Sequence, residues 1–179
     1  MSGGGTFLEL GAFDGASEST TAFFEQCLGW RGILVEAQPQ SFGRVLKNRP
    51  FTLNIRVATC PAHRRSVRFS GDAQSFARIG GNGTDGAVGV LRTKGGTPPI
   101  RVSCGPLGDY LSLLGVTRLD YFSLDVEGSE LEVIESLRTA QGLSIGVIQV
   151  EVRGDGRRGR VMRALMGRGF SYVGQTRGR

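Results

Sequence analysis

The sequence is poor in the residues that cross-link or metallate small proteins. It holds three cysteines, Cys27, Cys60 and Cys104. They are too few and too widely spaced for a disulfide framework or a zinc site, so the expectation is three reduced thiols of the cytoplasm. Histidine occurs once, as His63, and tryptophan once. No apolar run approaches the length that spans a bilayer, and no membrane association is expected. The opening Met1-Ser2-Gly3-Gly4-Gly5 lacks the basic residues and apolar stretch of a secretory leader. Also missing is a full dinucleotide fingerprint: only Gly11 and Gly15 stand where three glycines would cradle a pyrophosphate, and Asp14 in the same turn would repel it. That argues against a nicotinamide oxidoreductase.

What is there fits a single domain of 179 residues with 39% apolar content, long enough to bury a core. The 29 glycines are scattered without period and imply many turns. The net charge of +6 comes largely from a C-terminal arginine series, Arg153, Arg157, Arg158, Arg160, Arg163 and Arg168 onward, with a smaller knot at Arg64, Arg65 and Arg68. No aromatic residues interleave with these arginines to form a base-stacking platform. No Pro-Pro-aromatic signature follows Asp125 to hold a flipped base. The charge reads as solvated surface, and a nucleic-acid partner is not expected.

The chain is organised around Thr6–Gly15, an apolar strand breaking into a turn that carries Glu9, Gly11, Asp14 and Gly15. A second strand of the same kind, Tyr121–Glu130, ends in Asp125, Glu127 and Gly128. Strand, glycine turn and helix are how an open α/β sheet presents a ligand at its carboxyl edge. Helical spacing continues to Leu28 with Ser17 as the N-cap and Gly29 as the stop. Gly32–Glu36 is the second strand, and its terminal acid is suited to accept a pair of ribose hydroxyls. A helix opens at Pro39, and Phe51–Cys60 reads as the third strand. A carboxylate-rich turn beside a ribose acceptor suits a cationic nucleoside, which describes S-adenosylmethionine.

Residues 61–105 read as an insertion, a lid over the carboxyl edge or a plain loop. Within it Val67 and Phe69 make a short extended piece, and Val88–Leu91 and Ile100–Cys104 are expected to pair. Leu107–Leu114 is a helical face. Leu119–Val126 is the fourth strand, with Ser129 and Glu132 as a capping box for the next helix. Ile145–Val150 reads as a central parallel strand closed by Glu151. Then come a last helix, with Met162 and Met166 on or near the core, and a last strand at Phe170–Val173. The fold class is α/β, a doubly wound and mostly parallel Rossmann-like sheet.

The strings Glu9–Gly15, Leu34-Val35-Glu36 with Pro39, and Asp120–Val133 containing Asp125-Val126-Glu127-Gly128-Ser129-Glu130-Leu131-Glu132 resemble the FkbM family of methyltransferases, which have a class I methyltransferase fold. The resemblance spans roughly Thr6 to Val173. It implies an S-adenosylmethionine-dependent O-methyltransferase acting on a hydroxyl of a sugar or other small molecule. By resemblance Glu9, Gly11 and Gly15 line the cofactor's methionine end, Glu36 takes its ribose and Asp125 faces the methyl-transfer region; independently of the family, Glu9, Asp14 and Asp125 offer the cationic cofactor compensating charge at the strand ends. Catalysis then falls to Asp125 and Glu151, with His63 a further candidate base. The acids could instead hold a divalent ion, but no metal is expected. Few residues follow Val173, so the family's last antiparallel strand is expected to be short or absent, its edge open to a partner such as a second copy. The rival reading is a catalytically inactive domain that binds cofactor or partner.

Overall fold

A computed structural model describes residues 4–69 and 100–175. Five parallel strands form the main sheet in the order β3-β2-β1-β7-β8: Thr6–Leu10 (β1), Arg31–Val35 (β2), Leu53–Ile55 (β3), Arg118–Leu124 (β7) and Ser144–Val150 (β8). Their alternation sorts side chains to two faces. Phe7 and Leu34 join Val45, Phe24 and Trp30 beneath helices α1 (Ala22–Leu28) and α2 (Pro39–Asn48). Leu8, Leu10, Ile33, Val35, Phe122 and Leu124 face the opposite way. There they meet Leu107 and Leu111 of α3 (Leu107–Leu113), Val133 and Ile134 of α4 (Glu130–Ser136), and Val161 of α5 (Asp155–Met166). The fold is therefore a Rossmann-like, doubly wound α/β layer structure, as the alternating patterns imply.

Several local expectations are corrected. The stretch 51–60 is not one strand: β3 belongs to the main sheet, whereas Ala58–Thr59 (β4) leaves it and pairs with Ile100–Gly105 (β6) in a second sheet of order β4-β6-β5. β6 pairs in parallel with β4 at Cys104 and Gly105 and in antiparallel register with Ser66–Phe69 (β5) from Ile100 to Ser103. Ile100–Ser103 thus pairs with β5; Val88–Leu91, expected to pair with it, lies outside the described residues, as does most of the anticipated insertion. Helix α1 starts after Thr21, not at Ser17, while Gly29 does close it in a left-handed conformation. Ser129 precedes α4 but its side chain makes no cap hydrogen bond; instead the Glu130 carboxylate accepts the Gly128 N–H at 2.6 Å. Phe170–Val173 forms no strand, and Met166 is exposed on α5.

The expectation of three reduced thiols is also overturned. Parallel pairing of β4 with β6 sets Ala58 beside Cys104 and brings the Cys60 N–H onto the Gly105 carbonyl. Cys60 and Cys104, 44 residues apart in sequence, consequently form a disulfide with Cα atoms 5.7 Å apart. Cys27 is free and exposed. Cystines persist in oxidising surroundings, so a cytoplasmic placement loses the support it drew from the thiols. Among the described residues no helix is long and apolar enough to cross a membrane.

Candidate active site

Strand order reverses between β1 and β7, because the chain leaves β1 toward β2 and returns on its other side. Open α/β sheets bind ligands outside the carboxyl ends of the strands at such a point. Here the hydrogen-bond ladder runs one residue past each strand. Gly11 and Ala12 donate to the Val35 carbonyl at 3.0 and 3.2 Å, Asp125 donates to that of Leu10 at 3.0 Å, Glu151 to that of Leu124 at 3.0 Å, and Glu36 to that of Ile55 at 3.1 Å. Glu36, Gly11, Asp125 and Glu151 therefore form a single rank across the sheet edge, three acids with one bare position among them. Gly11 must be bare: its φ is +89°, and a Cβ there would lie 1.7 Å from the Asp125 carbonyl oxygen. Above this rank opens a cleft of about 190 Å³, lined among others by Glu9, Gly11, Phe13, Glu36, Asp125 and Glu151.

Each acid sits in a different environment. Glu36 is buried and accepts the N–H groups of Phe13 (2.8 Å) and Gln38 (2.7 Å), one on each carboxylate oxygen. Burial pushes its pKa up, against the pull of these N–H donors. A carboxylate oxygen has lone pairs to spare beyond one N–H, so the anchored Glu36 still offers acceptors to the cleft. Asp125 is raised to about 7, first by burial and then by its hydrogen bond to Glu151 and the charges of Glu151 and Glu127, with Arg153 acting in opposition. Glu151 is half exposed at the cleft wall.

The structure does not bring every candidate to the cleft. Glu9 lines it, but its carboxylate is committed to the chain: it accepts from the Ser19 hydroxyl (2.8 Å), the Thr20 N–H (3.2 Å) and the Thr21 hydroxyl, folding the β1–α1 loop over the strand. Asp14 is outside the lining. It accepts the Ala16 and Ser17 N–H groups at 2.9 and 2.7 Å. Burial tends to raise its pKa, yet those hydrogen bonds and the Arg44 charge prevail and hold it below its usual value. Gly15 is buried with φ +75°, packed on Arg49 and Val45 of the α2 region rather than on the cleft. His63 is exposed in the turn 61–64 and does not line the cleft.

Two residues that shape the site were not singled out from sequence. Arg49, 3% exposed, pairs with Glu25 and donates to the Gly15 carbonyl and the Ser19 hydroxyl, each at 3.2 Å, so it locks the loop that carries the site. Arg153, which looked like the start of a surface series, reaches Glu127 at 3.1 Å and Glu151 at 3.2 Å. Arg49's partners and Glu127 lie on other elements, whereas Glu151, two residues before Arg153, is a local partner. Among the described residues no group of three or more His, Cys, Asp or Glu side chains is placed to hold a metal ion.

A parallel sheet between two helical layers, with acids ranked at its switch point, defines a Rossmann-like α/β protein with a candidate ligand site at the carboxyl edge. More particularly, residues 9–172 match the family model of the methyltransferase FkbM domain, and the chain belongs to that family of methyltransferases. No curated protein and no solved structure matches it.

Proposed function

We propose that this chain is an S-adenosylmethionine-dependent O-methyltransferase whose acceptor is a hydroxyl of a small molecule or sugar. The observation that carries the reading is the rank Glu36–Gly11–Asp125–Glu151 at the mouth of the cleft. The donor set suits the cofactor: a bare glycine backbone, a buried carboxylate fixed at the end of β2, and further acids where a sulfonium and an ammonium group need compensating charge. The cofactor, when bound, supplies an electrophilic methyl group. Glu36 accepts the ribose hydroxyls while Phe13 and Gln38 hold it in place. Asp125 orients the acceptor hydroxyl and takes its proton as the oxygen gains the methyl carbon, with Glu151 beside it. A base whose pKa lies near the working pH is well matched to this task.

Isothermal titration of the purified protein tests the cofactor. Heat is expected with S-adenosylmethionine and with its demethylated product, and none with NAD. The opposite pattern would reject the reading. Glu36→Ala provides a residue-level check. Losing two charge-assisted hydrogen bonds, each worth about 1.5–3 kcal/mol, should weaken cofactor binding at least about tenfold. An unchanged Kd would reduce Glu36 to an anchor of the Phe13 and Gln38 backbone.

A further inference from the structure

Among the described residues, three that are not glycine hold a left-handed backbone: Phe13 (φ +53°), Glu18 (φ +60°) and Glu127 (φ +51°). All three line the cleft. A side chain disfavours this region because its Cβ crowds a carbonyl oxygen, and residues held there gather at functional sites. At Gly29 and Gly115 the chain meets the same demand with glycine. Phe13 and Glu127 have partners within the protein. The Phe13 N–H is held by Glu36 and its ring lies 4.7 Å from the Arg44 guanidinium, while Glu127 meets Arg153 at 3.1 Å. The Glu18 carboxylate makes no hydrogen bond or ion pair among the described residues.

The loop is pinned on both sides of Glu18, which keeps it in this conformation. The Ser17 N–H is tied to Asp14 at 2.7 Å. The Ser19 hydroxyl donates to Glu9 at 2.8 Å and accepts from Arg49 at 3.2 Å, and the Thr20 N–H donates to Glu9 at 3.2 Å. Glycine would suit such a position without strain. Instead it carries a glutamate that is exposed at the cleft and engages nothing in the chain.

The cleft has three walls. One is formed by the ends of β2 and β4 and includes Glu36; another, by the ends of β7 and β8, includes Asp125; the third is the β1–α1 loop at Ser17–Thr20. A cofactor with its ribose on the first wall and its methyl group toward the second leaves its amino-acid end against the third. Glu9 on that side is already taken up by the Ser19, Thr20 and Thr21 donors. An ammonium group is a charged triple donor that needs acceptors, and Glu18 is the carboxylate open to it.

We propose that Glu18 is a cofactor-binding residue that accepts the α-ammonium group of S-adenosylmethionine, its left-handed backbone presenting the carboxylate to the cleft. This rests on the reading of the cleft as an S-adenosylmethionine site.

The test is isothermal titration with two ligands. One is S-adenosylhomocysteine, the demethylated product; the other is its desamino analogue, which keeps the adenosine, thioether and carboxylate but lacks the ammonium. Glu18→Gln should weaken binding of the first about tenfold, the low end for a hydrogen bond between charged groups because the loop is open to solvent. The analogue should bind wild type and variant alike. Glu18→Gly removes the carboxylate and the backbone strain together, so it should show the same selective loss and melt no lower than the wild type. An equal Kd for S-adenosylhomocysteine in wild type and Glu18→Gln overturns the proposal. So does an equal loss with both ligands, which would make Glu18 a support of the loop rather than a partner of the ammonium. In both cases the wild type still binds the cofactor and the methyltransferase reading stands. A wild type that gives heat with neither ligand rejects that reading and this proposal with it.

Discussion

Gly11→Ala is expected to lower the melting temperature by roughly 6–12 °C, while Gly29→Ala lowers it by less than half as much. Both glycines have positive φ, +89° and +65°, so each substitution pays the left-handed penalty of about 1–2 kcal/mol. Nothing lies within 4 Å of a Cβ built at Gly29, whereas at Gly11 it meets the Asp125 carbonyl oxygen at 1.7 Å. That oxygen is main chain at the end of a buried strand and cannot swing aside as a side-chain tip could. Relief requires β1 and β7 to part at the rank that bears the acids, which adds overpacking of about 1–3 kcal/mol. A total near 3 kcal/mol corresponds to the stated shift for a domain of this size, at about 2–4 °C per kcal/mol. Thermal unfolding of both variants by circular dichroism measures it. Equal shifts would mean that only backbone conformation matters at Gly11 and that the strand spacing tolerates a methyl group.

The residues that were legible in sequence are those whose role is local. Phe7, Leu8 and Leu10 announce a two-faced strand by alternation, and Gly29 and Pro39 punctuate helices through their own backbone restrictions. Glu36, Asp125 and Glu151 were readable as strand-end acids because each follows an apolar run in sequence. Their alignment into one rank was not, since it depends on the registers Leu10↔Val35, Leu10↔Leu124 and Leu124↔Val150. The same limit explains the cysteines. Nothing near Cys60 or Cys104 signals a partner, and only the departure of β4 into the small sheet brings them together. Asp14 and Glu9 have partners within the chain that the sequence does not show. Acids in a glycine-rich turn look like ligand groups, but short loops have many N–H and hydroxyl donors to satisfy, and these two carboxylates satisfy them. Arg49 and Arg153 were hidden among many arginines because long side chains choose partners through space.

Asp125→Asn is expected to cut methyl transfer by roughly 10²–10⁴ and leave cofactor affinity within a few-fold. The carboxylate's decisive work, taking the hydroxyl proton, falls in the transition state; an amide of the same shape can still accept a hydrogen bond from the hydroxyl but cannot take its proton. A competing role as the cap of α4 is excluded by position: the cap residue is Ser129, and the Gly128 N–H is already served by Glu130. The wild-type rate should rise with pH through about 7, where Asp125 gives up its proton, and level off above; in the variant that limb disappears. Stability should move the other way. The folded-state pKa of Asp125 is raised above its ordinary value of 3.8, so the folded protein binds the proton more tightly than the unfolded chain between those two pH values. Stability from this group is present at acid pH and is lost as pH rises through that window. Asn carries no charge to desolvate, so above pH 7 the variant should melt no lower than the wild type. The measurement is release of demethylated cofactor against a panel of sugars and small alcohols, paired with melting curves at pH 5 and pH 8. A variant that turns over at the wild-type rate would remove Asp125 from the chemistry. One that is inactive only because it has unfolded would show its loss in the pH 8 melting curve, where a catalytic role predicts none.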